Sequence, residues 1–365
     1  MTPIRYNRYL YTRSAQPYKL LPYILLLSVL LVLPGCAGNN GSAGNNVPAG
    51  SGSSSASSAP AAAADGTAHK LTIMLDWYPN AVHSFLYAAQ SEGYFAEEGL
   101  DVEIQMPADS NDALKLVAAG QVDLALSYQP QVLMARGEQI PVKSVAALVR
   151  HPLNHLMVSA DSGITRPGEL SGKQAGYSSI PLYEAMLHTM IQTDGGDPAS
   201  LKLIDVGFEL IPALSTGRVD GIMGGFINHE QLILEQEGHP VRSFNPVDYG
   251  VPDYYELVLV ASDQGLQNSS EYFQKFMNAA RKGQQFVTKQ PEQALKLLLE
   301  HQDATAPLDE AIEKRSLEIL LPLMDAGAQP FGYQDSVSWE NVRKWLSEGG
   351  LLAEEVDSAD AFINL

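Results

Sequence analysis

Residues 71–100 read LTIMLDWYPNAVHSFLYAAQSEGYFAEEGL. The first five form an apolar run with a β-branched centre, the composition of a short buried strand. Asp76, Trp77, Tyr78, Pro79 and Asn80 then break the pattern. An amphipathic helix is expected next, with Phe85, Leu86, Ala89, Tyr94 and Phe95 on its apolar side and Gly99 as its stop. An acid, a large aromatic, an amide and His83 therefore gather where a strand hands over to a helix. In open α/β sheets that edge is where ligands bind, against strand carboxyl ends and free helix N–H groups. Trp77 either plugs the core beside this turn or faces a ligand, and composition alone leaves both open.

Working outward, strands and helices alternate. Residues 102–105, 122–127, 142–149 and 156–159 read as strands, and 111–119 and 131–136 as helices, the βαβ rhythm of a doubly wound sheet. An internal echo adds to this. Leu114 to Asp123 reads LKLVAAGQVD, and Ala213 to Asp220 reads ALSTGRVD. Each copy predicts a helix, a glycine C-cap, a tight turn and a buried strand. Two such units imply two similar α/β lobes, although the turn sequence is common in α/β proteins. The strands that follow them end in Tyr128-Gln129 and in residues 224–228, which would line one cleft if the lobes face each other. Turn-rich stretches at 163–173 and 250–255 read as the crossings between lobes. Residues 271–365 read as mainly helical and are expected on the first lobe.

The front of the chain is of another kind. Arg5, Arg8, Arg13 and Lys19 precede an apolar run, 20–33, that is short for a membrane span. LPGC at 33–36 matches a bacterial lipobox, so lipidation is expected at Cys36, the one cysteine of the chain. Residues 37–69, rich in Gly, Ser, Ala and Asn, read as a flexible linker. Of the 23 basic residues, 19 remain without the four in the leader, against 42 acidic ones. That balance argues against a nucleic-acid partner and against docking on an anionic bilayer through a basic face.

Phosphate-cradling glycine motifs and a G-x-S-x-G elbow are missing, so no cofactor or catalytic residue is expected. His151 and His155 are four apart, but Pro152 lies between them and no third ligand is apparent, so no metal is expected. What remains is aromatic and amide-rich. Trp77, Tyr87, Tyr128, Tyr183, Tyr254 and Tyr255 fall near predicted cleft loops, with Asn80, Gln129 and Asn228 as donor–acceptor pairs and Asp76, Glu184 and Glu256 as carboxylates. Flat faces with paired donors and acceptors suit a small planar heterocycle.

LDWYPN at 75–80, His83, Tyr87, Ala89, GYF at 93–95, GLDV at 99–102, SYQP at 127–130 and GVPDYY at 250–255 also carry a resemblance. They resemble the thiamin-pyrimidine group of periplasmic-type binding proteins, relatives of the fungal pyrimidine synthases. The likeness runs from about residue 70 to the end. It implies a two-lobe, type II periplasmic-binding-protein fold, with lobe 1 at 70–160 and 256–365 and lobe 2 at 161–255. It implies an extracytoplasmic, lipid-anchored binding protein that delivers an aminopyrimidine of formylaminopyrimidine type to an ABC permease and its ATPase subunits. Trp77 would stack on the ring and Glu184 would take its polar edge. Asp76, Asn80, His83, Tyr87, Tyr128, Gln129, Tyr183, Asn228, Tyr255 and Glu256 complete the expected binding set. Another heterocycle such as a flavin, or a sulfonate-type solute, is the alternative ligand. A pyrimidine-forming enzyme is the alternative class. The fungal synthases carry a His- and Cys-rich iron-binding stretch, and the absence of an internal cysteine here points away from an enzyme.

Overall fold

The computed structural model describes residues 68–109, 111–302 and 307–365. The leader, Cys36 and nearly all of the linker lie outside them. Ten strands are β1 His69–Met74, β2 Leu100–Gln105, β3 Leu124–Ser127, β4 Val142–Val149, β5 Asn154–Ser159, β6 Gln174–Tyr177, β7 Lys202–Asp205, β8 Gly221–Phe226, β9 Val241–Phe244 and β10 Leu257–Ser262. The helices are α1 Ser84–Ser91, α2 Tyr94–Glu97, α3 Ala113–Ala118, α4 Gln129–Gly137, α5 Pro181–Thr193 and α6 Leu210–Ser215, then α7 Glu230–Gln236, α8 Asp263–Lys289, α9 Pro291–Glu300, α10 Glu310–Met324 and α11 Ser336–Glu348.

The strands form two five-stranded sheets, ordered β2-β1-β3-β10-β4 and β7-β6-β8-β5-β9. In each, the first three strands are parallel and the fourth is antiparallel to its neighbours. The two lobes thus repeat one plan, and the echoed aspartates do the same work in both. Asp123 Oδ2 accepts the N–H of Thr72 in β1 at 2.7 Å, and Asp220 Oδ2 accepts that of Gln174 in β6 at 2.9 Å. The glycines before them, Gly120 and Gly217, have φ of +67° and +69°, a left-handed turn that glycine adopts without steric cost.

Two predicted features shift. The expected single helix after His83 is broken into α1 and α2 by Gly93, whose φ is +77°. Residues 154–159, placed in lobe 1 by the sequence, pair with β8 and β9 of the second sheet. The first crossing is therefore 150–153, earlier than the crossing expected at 163–173. A buried apolar strand fits the middle of either sheet, so its composition did not say which one it joins.

The C-terminal helices cover the first sheet. Ser262 caps α8, its Oγ accepting the N–H of Gly265 at 3.0 Å. Phe273, Phe276, Met277 and Ala280 make its buried stripe. α8 runs so close to α1 that a Cβ on Gly283 would meet the carbonyl oxygen of Phe85.

Candidate functional site

The chain leaves β1 at Met74 and turns at Asp76–Asn80 into a 3-10 turn, Ala81–His83. Asn80 caps that turn, its Oδ1 accepting the N–H of Val82 at 3.0 Å. His83 Nδ1 accepts the N–H of Asn80 at 3.2 Å, which leaves Nε2 to carry the ring proton and donate to Asp76 Oδ1 at 3.0 Å. Tyr128, just after β3, donates its hydroxyl to Asp76 Oδ2 at 3.1 Å. Asp76, Asn80 and His83 are all buried. The W-x-P-N-x-x-H spacing is thus a device that closes a turn and aims a carboxylate.

That carboxylate lines a small cavity of about 10 Å³ between the two lobes, together with Trp77, Asn80 and Tyr128. That is room for about one water, so the walls must part to admit a small-molecule ligand. The second lobe supplies the facing wall: Ser178, Tyr183, Gly224, Phe226, His229 and Glu230. Gly224 sits at φ +107°, and a Cβ there would lie 2.7 Å from Ser178 Oγ and 2.9 Å from Tyr183 Cε2. Burial raises the Tyr128 and Tyr183 phenols well above their usual range, so both remain neutral donors. Glu230 opens α7, its Oε2 accepting the N–H of Phe226 at 2.8 Å and its Oε1 lying 2.9 Å from His229 Nδ1. Burial lowers the His229 pKa, but the Glu230 and Glu313 carboxylates outweigh it and the net shift is upward. Each lobe therefore presents one carboxylate bonded to one histidine. No lysine or arginine is among the lining residues.

Contacts between the lobes surround the cavity. Trp77 lies 4.4 Å from the ring of Phe208 in the second lobe and packs against that lobe's own small core. α10 meets α7 through Arg315–Glu235 at 3.2 Å and Gln236–Asp309 at 2.8 Å, and His229 Nε2 comes within 4.0 Å of Glu313 Oε1. The two crossings are tied as well. Glu256 Oε2 accepts the N–H of Leu153 at 2.7 Å, that of Asn154 at 2.8 Å and the Tyr254 hydroxyl at 3.0 Å. His151 Nδ1 lies 2.9 Å from Asp253 Oδ2.

Of the residues expected to bind ligand, Asp76, Trp77, Asn80, Tyr128 and Tyr183 come together on the cavity. His83 stands behind Asp76. The others lie elsewhere. Tyr87 faces a separate surface groove beside His301 and the amino end of β1, and burial pushes its phenol up to about 12. Glu184 is exposed, because one step of about 100° along α5 turns it away from the side where Tyr183 meets the cavity. Gln129 holds the second crossing, its Oε1 accepting the N–H of Tyr255 at 2.8 Å. The Tyr255 hydroxyl accepts the N–H of Asp335 at 2.8 Å, and Asn228 donates to Ser316 Oγ at 2.9 Å. Glu256 is a crossing residue. The sequence reading placed 224–228 on the cleft, and Gly224 and Phe226 do line it, but it missed Ser178, His229 and Glu230. The signal available was position: Ser178 directly follows β6, and His229 and Glu230 lie just past β8, the second echoed strand.

Two α/β lobes of one plan, two crossings and a cavity walled by both give the chain the two-lobe fold of the periplasmic binding proteins. Solved structures agree on the fold. The alkanesulfonate-binding protein SsuA of Xanthomonas axonopodis pv. citri superposes with a TM-score of 0.66 at 15% identity, covering 83% of this chain and 100% of that one. The chain belongs to the NMT1/THI5 like family, which matches residues 80–294. A relative in Halalkalibacterium halodurans, a formylaminopyrimidine-binding protein, is 47% identical over 83% of this chain and 92% of its own length. A 4-amino-5-hydroxymethyl-2-methylpyrimidine phosphate synthase of Legionella pneumophila is 25% identical over 81% and 91%.

Proposed function

We propose that this chain is the substrate-binding component of an ABC importer and that it holds a formylaminopyrimidine-type thiamin precursor in the cleft. One observation carries the reading. The cavity is aromatic on both walls, offers two carboxylates, each bonded to a histidine, and has no lysine or arginine in its lining. An aminopyrimidine presents flat faces and an amino donor beside a ring nitrogen. The faces suit Trp77, Tyr128, Tyr183 and Phe226, and the donor edge suits Asp76 or Glu230. A sulfonate or phosphate needs cations or a nest of N–H groups, and two carboxylates repel it. The likeness to the formylaminopyrimidine-binding relative supports the same ligand class.

On this reading Trp77 and the Asp76–His83 pair belong to lobe 1 (70–150 and 256–365), and Tyr183, His229 and Glu230 to lobe 2. Closure about the crossings at 150–153 and 250–256 buries the ligand and shapes the surface that a permease recognises. Lipid on Cys36 and the linker behind it keep the protein outside the cytoplasm, at the membrane and within reach of that permease.

The test is titration calorimetry of the ligand-free protein with formylaminopyrimidine, with a phosphorylated aminopyrimidine and with MOPS. Binding of the first at micromolar concentration or below, and of neither anion, is expected. Tight binding of MOPS or of the phosphate ester in place of the neutral ring overturns the reading.

A further inference from the structure

We propose that Phe208 is a positioning residue for ligand retention: from the second lobe it clamps Trp77 of the first, and so sets how long the cleft stays shut. The inference rests on the ligand reading above. Phe208 lies between β7 and α6, and its ring is 4.4 Å from that of Trp77 and 5.0 Å from that of Tyr78, tilted by 49° and 58°. Trp77 lines the cavity and Phe208 does not, so Phe208 reaches a ligand only through the indole. The partners stand on opposite sides of the two crossings. Opening the lobes must break this contact, while the closed state gains it.

The loop is held for this task. Asp205 Oδ1 accepts three donors: the N–H of Ser179 at 3.1 Å, the Ser179 hydroxyl at 2.9 Å and the N–H of Gly207 at 3.0 Å. Ser179 has φ +55°, a left-handed conformation uncommon for a residue with a side chain. Its neighbour Ser178 lines the cavity. One carboxylate oxygen therefore fixes both the loop that presents Phe208 and the wall of the site. Local strain held by surrounding bonds is common where a loop must be pre-positioned. Phe208 is half-buried and belongs to neither of the two buried core clusters. Its ring is thus placed for a contact between lobes.

A clamp made only on closure slows release and leaves entry alone. Two tilted aromatic pairs lost together correspond to about a tenfold faster dissociation. The experiment is surface plasmon resonance of the full-length protein with formylaminopyrimidine as the probe, comparing wild type, Phe208→Ala and Phe208→Tyr. In Phe208→Ala, koff is expected to rise about tenfold with kon within about twofold of wild type. The ligand-free Tm should be unchanged, and Phe208→Tyr should restore slow release. Equal koff in wild type and Phe208→Ala overturns the clamp while the ligand reading stands. A lower ligand-free Tm with no restoration by Phe208→Tyr shows a folding role and also overturns it. Failure of the wild type to bind the probe removes the ligand reading, and the clamp with it.

Discussion

Glu256 Oε2, on the segment returning to the first sheet, accepts the backbone N–H of Asn154, on the segment leaving it, at 2.8 Å. The same oxygen accepts from Leu153 and from the Tyr254 hydroxyl, while Oε1 is buried with no hydrogen-bond partner among the described residues. Burial raises this carboxyl to about 7, against the downward pull of those three donors. Its folded pKa thus lies above the unfolded value of about 4.5. The protonated form is favoured in the folded state, so this stabilisation is complete below pH 4.5 and is lost as pH rises through 7. Glu256→Gln keeps an oxygen for the two crossings and cannot ionise. Melting across pH 4.5–7 should show the wild type losing roughly 1–3 kcal/mol that the variant does not lose. Parallel curves for the two proteins would refute an ionising hinge carboxyl.

His83 and Asp76 make a second prediction. His83→Ala strands the N–H of Asn80 and one oxygen of Asp76, both buried. A cost of about 2–4 kcal/mol is expected from the unpaired groups and the cavity left behind. Ligand affinity should fall as well, because Asp76 loses its aim. Thermal melts with and without ligand check this, and an unchanged Tm with unchanged affinity would contradict the assigned role.

Trp77 and Glu184 separate what the sequence expected from what the geometry supports. Trp77→Ala removes a cavity wall, and the loss of a stacking face typically costs on the order of 1–3 kcal/mol, or about ten- to a hundredfold in affinity. Glu184→Gln should leave affinity unchanged, since Glu184 is exposed and off the cavity. Glu230→Gln should weaken an aminopyrimidine more than an analogue lacking the amino group. Calorimetry on the three variants decides, and a strong effect of Glu184→Gln would return that residue to the site.

Arg315 and Glu235 bridge the lobes at 3.2 Å from partly exposed positions. Exposed pairs contribute about 0.2–1 kcal/mol, so Arg315→Glu should weaken ligand binding by up to about fivefold at low salt. High salt should shrink the effect. The doubly swapped variant, Glu235→Arg with Arg315→Glu, should recover the affinity. Failure of the swap to recover any of the loss would remove the pair from the closing surface.

Cys36→Ser tests the anchor. The lone cysteine follows an apolar run and precedes a Gly- and Ser-rich one. Fatty-acid labelling and membrane partition should both be lost in the variant expressed in a bacterial host. Normal maturation and partition would dispose of the lipobox.

The legible part of this molecule was the part written in local pattern. Residues 71–83 revealed their turn because strand, cap and histidine are neighbours in the chain, and the two echoed units revealed the repeated lobe. Tyr128 and Tyr183 were legible as residues at the end of a strand or the start of a helix. Glu184 and Glu230 show where pattern ran out. Both are first-turn acids of helices in the second lobe, and only the rotation of each helix decides which one faces the cavity. Gln129, Asn228, Tyr255 and Glu256 were read as ligand groups because buried polar side chains near a cleft look alike in sequence. Their partners, Ser338, Ser316, Asp335 and Asn154, lie up to 209 residues away. Phe208 carried no signal, since its partner is in the other lobe.

β10 lies between β3 and β4, bonded to both. Strands made early are therefore joined by one made after the whole second lobe. A chain emerging amino end first keeps an open slot in its first sheet until residue 262 is free. Pairing over such long separations in sequence is slow. The lobe that begins first is thus the one that finishes last, and until β10 arrives the nascent chain is held short of its final form by its own topology.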